Sequence, residues 1–335
     1  MGMNGKQTFV TGADGFIGSH LVEALVLEGA AVRALVQYNS FDSSGWLDDL
    51  PADIRDAVEI VRGDVRDAHQ MRRLCAGQEI VFHLAALISV PYSYEAPSSF
   101  VDTNVTGTLN VLQGALEGGA ARVVQTSTSE VYGTAQTMPI GEDHPLQGQS
   151  PYSASKIAAD KMAEAYARSF SLPVVILRPF NTYGPRQSER AIVAAVIRQA
   201  LDPGCDRILV GDLRPGRAFS YVSDTVAAFL AVGGTADFDA FHGRSFNAGS
   251  DRLISIGETV ETVRGIAGCN KPVEQEKSRF RPEASEVMAL VADSSALREI
   301  TGWKPAVTLE DGISRCIDWW RRRGERVRPG RDYIV

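Results

Sequence analysis

The segment TGADGFIG, residues 11–18, places three glycines at three-residue spacing between an apolar run and an amphipathic stretch. Residues 7–12 predict a strand, and residues 16–29 predict a helix with apolar side chains on one face. Glycine lets a backbone turn tightly and approach a pyrophosphate, whose charge the amides and dipole of a helix N-terminus favour. The segment therefore predicts a dinucleotide-binding turn, in which the cofactor contacts Gly12, Gly15, Phe16, Ile17 and Gly18.

Short apolar runs alternate with amphipathic stretches through the first half of the chain. This alternation is typical of a parallel sheet covered by helices, whose strands are apolar on both faces. After Arg178, prolines and glycines interrupt shorter elements. We therefore expect an α/β fold, with a Rossmann-type doubly wound parallel sheet in residues 1–178. Residues 179–335 are expected to form a smaller mixed α/β substrate-binding portion, with the chain crossing back to the first domain near residues 218–250.

The composition narrows the class of protein. The 335 residues carry a net charge of −7, which argues against nucleic acid or an anionic membrane as a partner, because these favour a basic surface. Four scattered cysteines, without a C-x-x-C pair, predict reduced thiols and no metal site. The sequence shows neither a signal peptide nor an apolar run of the ~18 residues that span a bilayer. We expect a cytoplasmic protein.

The second predicted strand bears on the choice of cofactor. It is AVRALV, residues 31–36, and it continues into QYNS without the acidic residue that commonly selects NAD by holding the ribose hydroxyls. No arginine stands beside it for a 2′-phosphate, since Arg33 lies within the strand. We expect NAD, and the sequence leaves NADP open. Asp64, after the third strand, is a candidate contact for adenine or a loop-capping residue.

Two further segments carry groups with acid–base chemistry. PYSASK places Tyr152 and Lys156 four residues apart, on one face of a predicted helix. A neighbouring cation favours the phenolate and lowers a tyrosine pKa from ~10, so Tyr152 is a candidate base for an alcohol proton. The alternative is that Tyr152 and Lys156 form an exposed pair on the helix surface without a catalytic role. TSTSEVYG, residues 126–133, sets Thr128, Ser129 and Glu130 at the end of a buried strand.

The order of these motifs resembles the extended short-chain dehydrogenase/reductase family. The glycine turn, FHLAA at the fourth strand, the Ser/Thr cluster and Y-x-x-x-K come first. RPFNTYGP, RAFSYVSD and GWKPAVTLEDG follow, so the resemblance covers nearly the whole chain. It implies NAD(P) binding, a nucleotide-sugar substrate and a homodimer built from helices near 101–118 and 152–170. The implied cofactor contacts beyond the glycine turn are Asp64, Val65, Leu84, Ala85, Ala86, Tyr152, Lys156 and Pro179.

Within that family, the residues after the fifth strand distinguish the reactions. Sugar 4-epimerases tend to have Ser-Ser-Ala-type residues there, and dTDP-glucose-type 4,6-dehydratases have Thr-Asp-Glu. This chain has Thr128-Ser129-Glu130, and its longer motif string most resembles UDP-N-acetylglucosamine-type 4,6-dehydratases of legionaminic acid and related surface-sugar pathways. The resemblance implies that Tyr152 accepts the C4 hydroxyl proton, Thr128 polarises the C4 oxygen and Glu130 removes the C5 proton. Ser129 is too weak an acid to replace the aspartate, so we infer that Glu130 also protonates the leaving O6, which Ser129 orients.

Three alternatives remain at this point. The first is a UDP-glucuronate decarboxylase, a group that also has Thr-Ser-Glu-Val-Tyr-Gly. The second is a nucleotide-sugar 4-epimerase, a group in the same family. The third is a non-catalytic NAD(P)-binding sensor with the same fold. Asn181 and Arg217 match family positions that hold substrate phosphates. Arg186 and Arg281 are weaker candidates for the same task, and Tyr221 is a candidate to stack on the base or to pack internally.

Overall fold

The computed structural model describes residues 2–280 and 287–324. In this part of the chain the strands are β1 (Gln7–Thr11), β2 (Ala31–Gln37), β3 (Val58–Gly63), β4 (Ile80–His83), β5 (Arg122–Thr126), β6 (Val174–Pro179), β7 (Thr182–Tyr183), β8 (Ile208–Val210), β9 (Gly216–Ala218), β10 (Ser220–Tyr221), β11 (Ser245–Ala248), β12 (Leu253–Ser255), β13 (Val273–Gln275) and β14 (Ala289–Leu290). The α-helices are α1 (Phe16–Leu27), α2 (Ala52–Asp56), α3 (Ala68–Cys75), α4 (Val90–Glu95), α5 (Pro97–Phe100), α6 (Gly107–Glu117), α7 (Pro151–Phe170), α8 (Ile192–Leu201), α9 (Val222–Gly234), α10 (Ile256–Ala267), α11 (Ser295–Thr301) and α12 (Leu309–Arg323).

Seven strands form one parallel sheet in the order β3-β2-β1-β4-β5-β6-β11. The order reverses at β1, because β2 lies on one side of it and β4 on the other. In such sheets the reversal opens a crevice at the carboxyl ends of the strands, where ligands bind. The predicted Rossmann-type doubly wound sheet is confirmed.

Helices cover both faces of this sheet. On one face Leu21 and Val22 of α1 and Phe229 of α9 join a large buried cluster, and on the other α3, α6 and α7 close a second cluster. Burial of these apolar side chains supplies most of the stability at about 25 cal/mol per Å² of apolar surface. The helix that carries Tyr152 begins sharply: Ser150 and Ser153 form a reciprocal capping box, and proline occupies the first turn.

The later half of the chain does not fold apart from the sheet. Strand β11 pairs with β6, so residues 245–248 belong to the sheet of the first portion. The remaining strands form a three-stranded sheet, β12-β9-β14, and the pairs β10-β7 and β13-β8. A division of the chain at residue 179 stays a proposal, with a crossing back that includes β11. None of the described helices is both long enough and apolar enough to cross a bilayer.

Candidate active site

Two adjoining cavities open at the carboxyl ends of the central strands. The larger has a volume of about 710 Å³ and the smaller about 360 Å³. Six residues line both cavities, so the two are continuous: Glu130, Asn181, Thr182, Gln187, Arg190 and Ala191. Such a pair offers room for two ligands that meet near Glu130.

The glycine turn lines the larger cavity. Gly12 has a φ of +66°, and a Cβ there would lie 2.7 Å from the backbone nitrogen of Ala85. A Cβ on Gly18 would overlap the carbonyl oxygen of Gly12. Helix α1 starts after Gly15 without a side-chain cap, which suits an anionic group at its first amides. These residues fit the pyrophosphate of a dinucleotide, and a side chain at any of the three glycines would narrow the turn.

Every residue predicted to contact the cofactor lines the larger cavity. These are Gly12, Gly15, Phe16, Ile17, Gly18, Asp64, Val65, Leu84, Ala85, Ala86, Tyr152, Lys156 and Pro179. Asp64 is engaged by Arg66, whose Nε donates to it at 3.0 Å and whose guanidinium lowers its pKa. The cavity thus runs from the edge of β3, past the glycine turn, to the Tyr152–Lys156 pair.

Tyr152 and Lys156 are buried on one face of α7, with 7% and 5% of their surfaces exposed. The Nζ of Lys156 donates to the carbonyl oxygen of Thr126 at 2.6 Å, and burial lowers the pKa of Lys156 to about 8. Burial raises the pKa of Tyr152, and a hydrogen bond with Thr128 opposes that rise. The predicted fall in the tyrosine pKa is therefore wrong for the protein alone, because desolvation of the phenolate outweighs its neighbours.

Glu130 sits in a 3₁₀ turn, Ser129–Tyr132, directly after β5. Its backbone N–H donates to Thr128 Oγ1 at 3.2 Å, which turns the chain toward the cavities. Ser129 is buried with 3% exposure, whereas Glu130 is partly exposed and lines both cavities. The structure thus brings together the five predicted catalytic residues, Thr128, Ser129, Glu130, Tyr152 and Lys156, in one cavity lining.

A buried ion pair lies behind these residues, and the sequence analysis missed it. Arg178 Nη2 donates to Asp160 Oδ2 at 3.1 Å, with the two side chains 2% and 0% exposed. Ser127 Oγ donates to the same carboxylate oxygen at 2.8 Å, and Arg178 Nη1 donates to the Tyr132 hydroxyl at 2.9 Å. Burial raises the pKa of Asp160, against the lowering effect of Arg178 and then Lys156. The pair ties the Tyr/Lys helix to both ends of the turn that carries Glu130.

The smaller cavity collects cationic and amide side chains. Asn181 and Arg217, both predicted to hold phosphates, line it. Arg190, Arg279 and Gln187 also line it, and sequence reasoning missed all three. Gln187 and Arg190 lie on the loop between β7 and α8, whereas Arg279, which pairs with Glu276 at 2.6 Å, comes from a segment far along the chain. Guanidinium groups bind phosphate in bidentate geometry. This cavity therefore suits the diphosphate of a nucleotide, with the apolar side chains of Phe219 and Ile256 available to contact its base.

Two predicted substrate residues lie elsewhere. Arg186 Nη2 donates to Glu23 Oε2 of α1 at 2.7 Å, so its charge is compensated away from both cavities. Tyr221 is 7% exposed and packs edge-on against Tyr183, with ring centroids 5.6 Å apart. Of the two roles predicted for Tyr221, this position fits internal packing rather than stacking on the base. Arg281 lies outside the described residues.

The chain is similar to known proteins over nearly its whole length. Residues 9–316 match the family model described as GDP-mannose 4,6 dehydratase. The dTDP-glucose 4,6-dehydratase of Streptomyces griseus is 36% identical over 322 residues, with 93% of each chain covered. The UDP-glucose 4-epimerase of Mycolicibacterium smegmatis is 34% identical, with 95% of this chain and all of the relative covered.

A solved structure shares the architecture. It is DesIV, a dTDP-glucose 4,6-dehydratase from Streptomyces venezuelae with NAD bound, and it is 29% identical with a TM-score of 0.86. The match covers 97% of this chain and 99% of that one. The chain therefore belongs to the GDP-mannose 4,6 dehydratase family, in the extended short-chain dehydrogenase/reductase group of nucleotide-sugar dehydratases and epimerases.

Proposed function

We propose that the protein is an NAD-dependent nucleotide-sugar 4,6-dehydratase, with UDP-N-acetylglucosamine as the first substrate to test. The observation that carries this proposal is the position of Glu130. Glu130 lines both cavities, and Tyr152 and Thr128 line the larger cavity with it. A reaction confined to C4 would need only the tyrosine and the threonine, whereas removal of a C5 proton needs a further base.

The chain's own residues supply the proton transfers. Tyr152 accepts the C4 hydroxyl proton, with Thr128 hydrogen-bonded beside it and Lys156 four residues further along α7. When bound, NAD supplies the hydride acceptor and, in its oxidised form, a further positive charge. The C4 ketone acidifies the C5 hydrogen, which Glu130 removes. Glu130 then gives this proton to O6, which leaves as water.

The proton balance closes on Tyr152. The hydride removed from C4 would return to C6, C5 would take up one proton from the solvent, and Tyr152 would release to the solvent the proton that it accepted at the start. The net change is the loss of one water and the formation of a 4-keto-6-deoxy sugar. Ser129 orients the leaving oxygen or a water, since a hydroxyl is too weak an acid to protonate it. Serine at this position is what leaves both proton transfers to Glu130.

The smaller cavity supports a nucleoside diphosphate as the handle of the substrate. Arg217, Arg279 and Asn181 line it, and Phe219 and Ile256 supply apolar walls. With the diphosphate there, the sugar ring lies at the junction of the cavities, where Glu130 and Arg190 are. Binding energy spent on the remote nucleotide orients the reacting carbons.

UDP-glucuronate decarboxylation is the second candidate, because Arg190 lines both cavities beside Glu130. A guanidinium there would meet a C6 carboxylate. A 4-epimerase is less favoured, since that reaction gives Glu130 no task. A non-catalytic sensor is disfavoured because Tyr152, Lys156 and Glu130 share one cavity lining.

The test is incubation of the pure protein with UDP-N-acetylglucosamine and NAD, followed by mass spectrometry. Loss of the mass of one water without net cofactor reduction supports dehydration. An unchanged mass with inverted C4 identifies an epimerase, and carbon dioxide released from UDP-glucuronate identifies a decarboxylase. GDP- and dTDP-hexoses, run in parallel, set the nucleotide preference.

We also propose a homodimer that acts in the cytoplasm. The four cysteines Cys75, Cys205, Cys269 and Cys316 are all free thiols, which suits a reducing compartment. Helix α7 leaves Ala154 and Ala165 exposed and Ala158 and Met162 half-buried, along one stripe. Small and apolar side chains at such spacing suit close packing against the same helices of a second copy.

A further inference from the structure

Asp14 lies beside the carboxyl end of β2. It belongs to the glycine turn and lines the larger cavity together with Gly12, Leu35 and Gln37. Its Oδ2 accepts from the backbone N–H of Gln37 at 3.2 Å. Gln37 is the last residue of β2, the strand end where an acidic side chain commonly selects NAD. A carboxylate is therefore present at this strand end, although β2 does not provide it.

The Asp14 side chain is held in place by the segment that follows β2. Its backbone oxygen accepts from the Trp46 N–H at 3.1 Å. Gly45 approaches so closely that a Cβ there would lie 2.8 Å from the Asp14 Cβ. Burial raises the pKa of Asp14, as expected of an acid enclosed at the cavity edge. The hydrogen bond from Gln37 and this enclosure leave the carboxylate few other orientations.

Neighbouring cations are committed to other acids. Arg62, at the end of β3, pairs with Asp42 at 2.8 Å. Arg66 Nε donates to both carboxylate oxygens of Asp64, at 3.0 Å each. A 2′-phosphate entering this edge would meet the Asp14 carboxylate, and Arg66, which lines the cavity near this edge, already pairs with Asp64. A 2′-hydroxyl would instead donate a hydrogen bond to a charged acceptor, which is stronger than a hydrogen bond between neutral groups.

We infer that Asp14 replaces the missing acid of β2 and makes the protein select NAD over NADP. The inference rests on the proposed function, because it presumes that the larger cavity takes a nicotinamide dinucleotide. It differs from a purely structural role in its consequence. If Asp14 only stabilised the turn, its replacement would change the affinities for NAD and NADP by the same factor. If Asp14 binds the ribose hydroxyls, its replacement changes the ratio of the two affinities.

The experiment is isothermal titration calorimetry of NAD and NADP, without a sugar, to the wild type and to Asp14→Asn, Asp14→Ser and Asp53→Asn. Asn keeps the acceptor for the Gln37 N–H, and Asp53→Asn removes the same charge from an exposed position on α2. We expect the wild type to bind NAD at least about tenfold more tightly than NADP. Both Asp14 variants should lower that ratio by about tenfold, and Asp53→Asn should leave it unchanged.

Other outcomes overturn the inference in distinguishable ways. A wild type that binds NADP as tightly as NAD contradicts it while leaving the dehydratase proposal intact. The same holds if both Asp14 variants, shown to be folded by their melting curves, keep the wild-type ratio. If the folded wild type binds neither dinucleotide, the proposed function fails together with the inference.

Discussion

At the scale of single residues, Glu130 carries the largest predicted effect on the reaction. Glu130→Gln keeps the size of the side chain and removes the base. We expect kcat to fall by about 10²- to 10⁴-fold, the usual contribution of general acid–base catalysis, with NAD affinity unchanged. Product formation followed by mass spectrometry measures the change. Glu164→Gln, on α7 where Glu164 pairs with Lys161, is the matched control. Normal turnover by Glu130→Gln would falsify the assigned role.

The charge of Lys156 predicts a pH dependence. Burial lowers the pKa of this lysine to about 8, so the side chain is cationic below that pH and neutral above it. Burial also raises the pKa of Tyr152, which leaves the tyrosine dependent on nearby positive charge to act as a base. We therefore expect kcat to fall as the pH rises through about 8.

The matched variant for this prediction is Lys156→Arg, because an arginine keeps its charge across the range. Its residual activity should not show the decline near pH 8 that the wild type shows. Initial rates in constant-ionic-strength buffers, with Trp fluorescence as a check of folding, give both profiles. The same alkaline limb in the two proteins would assign the titration to another group.

At the scale of elements, the Asp160–Arg178 pair joins α7 to β6. Asp160→Asn would leave the Arg178 charge buried without its anion, and removal of one partner of a buried pair costs about 3–5 kcal/mol. We expect a loss of that size in the free energy of unfolding, measured in urea. The exposed pair of Arg207 and Glu274 provides the control, and Glu274→Gln should cost less than about 1 kcal/mol.

The same variant should also reduce turnover, because the pair holds the turn that carries Glu130. Ser127 precedes that turn and Tyr132 is its last residue, and each is hydrogen-bonded to one member of the pair. We expect kcat to fall while KM changes little, since neither member of the pair lines the smaller cavity, where we propose that the nucleotide binds. A double variant, Asp160→Asn with Arg178→Met, removes the unpaired charge and should recover part of the stability. Equal stability of Asp160→Asn and the wild type would contradict the argument.

At the scale of the whole molecule, the stripe of small residues on α7 predicts a dimer. Ala158 is half-buried on this stripe, and Ala158→Glu would place a charge and extra volume in a close helix contact. We expect the wild type to have twice the mass of the chain by light scattering, and the variant to have the mass of one chain. Ala52→Glu, at an exposed position of α2, is the control. A wild type that is already monomeric at micromolar concentration would refute the proposed interface.

The sequence by itself determined the features that depend on spacing within one segment. TGADGFIG predicted the turn between β1 and α1, and a separation of four residues predicted that Tyr152 and Lys156 share one face of a helix. The alternation of strands and helices predicted the parallel sheet, whose carboxyl ends bring Glu130 to the cavity. These inferences succeed because neighbouring residues in a turn or a helix have nearly the same geometry in every fold.

Only the tertiary structure decided which side chains from distant segments meet. Arg186 and Arg217 look alike in the sequence, yet Arg186 pairs with Glu23 of α1 and Arg217 lines the smaller cavity. The sequence did not reveal Arg190 or Arg279 as cavity residues, nor the contact of Asp14 with Gln37. The physical reason is that an ionic or polar side chain acts only over a few ångströms, and the packing of separate elements sets its nearest partner.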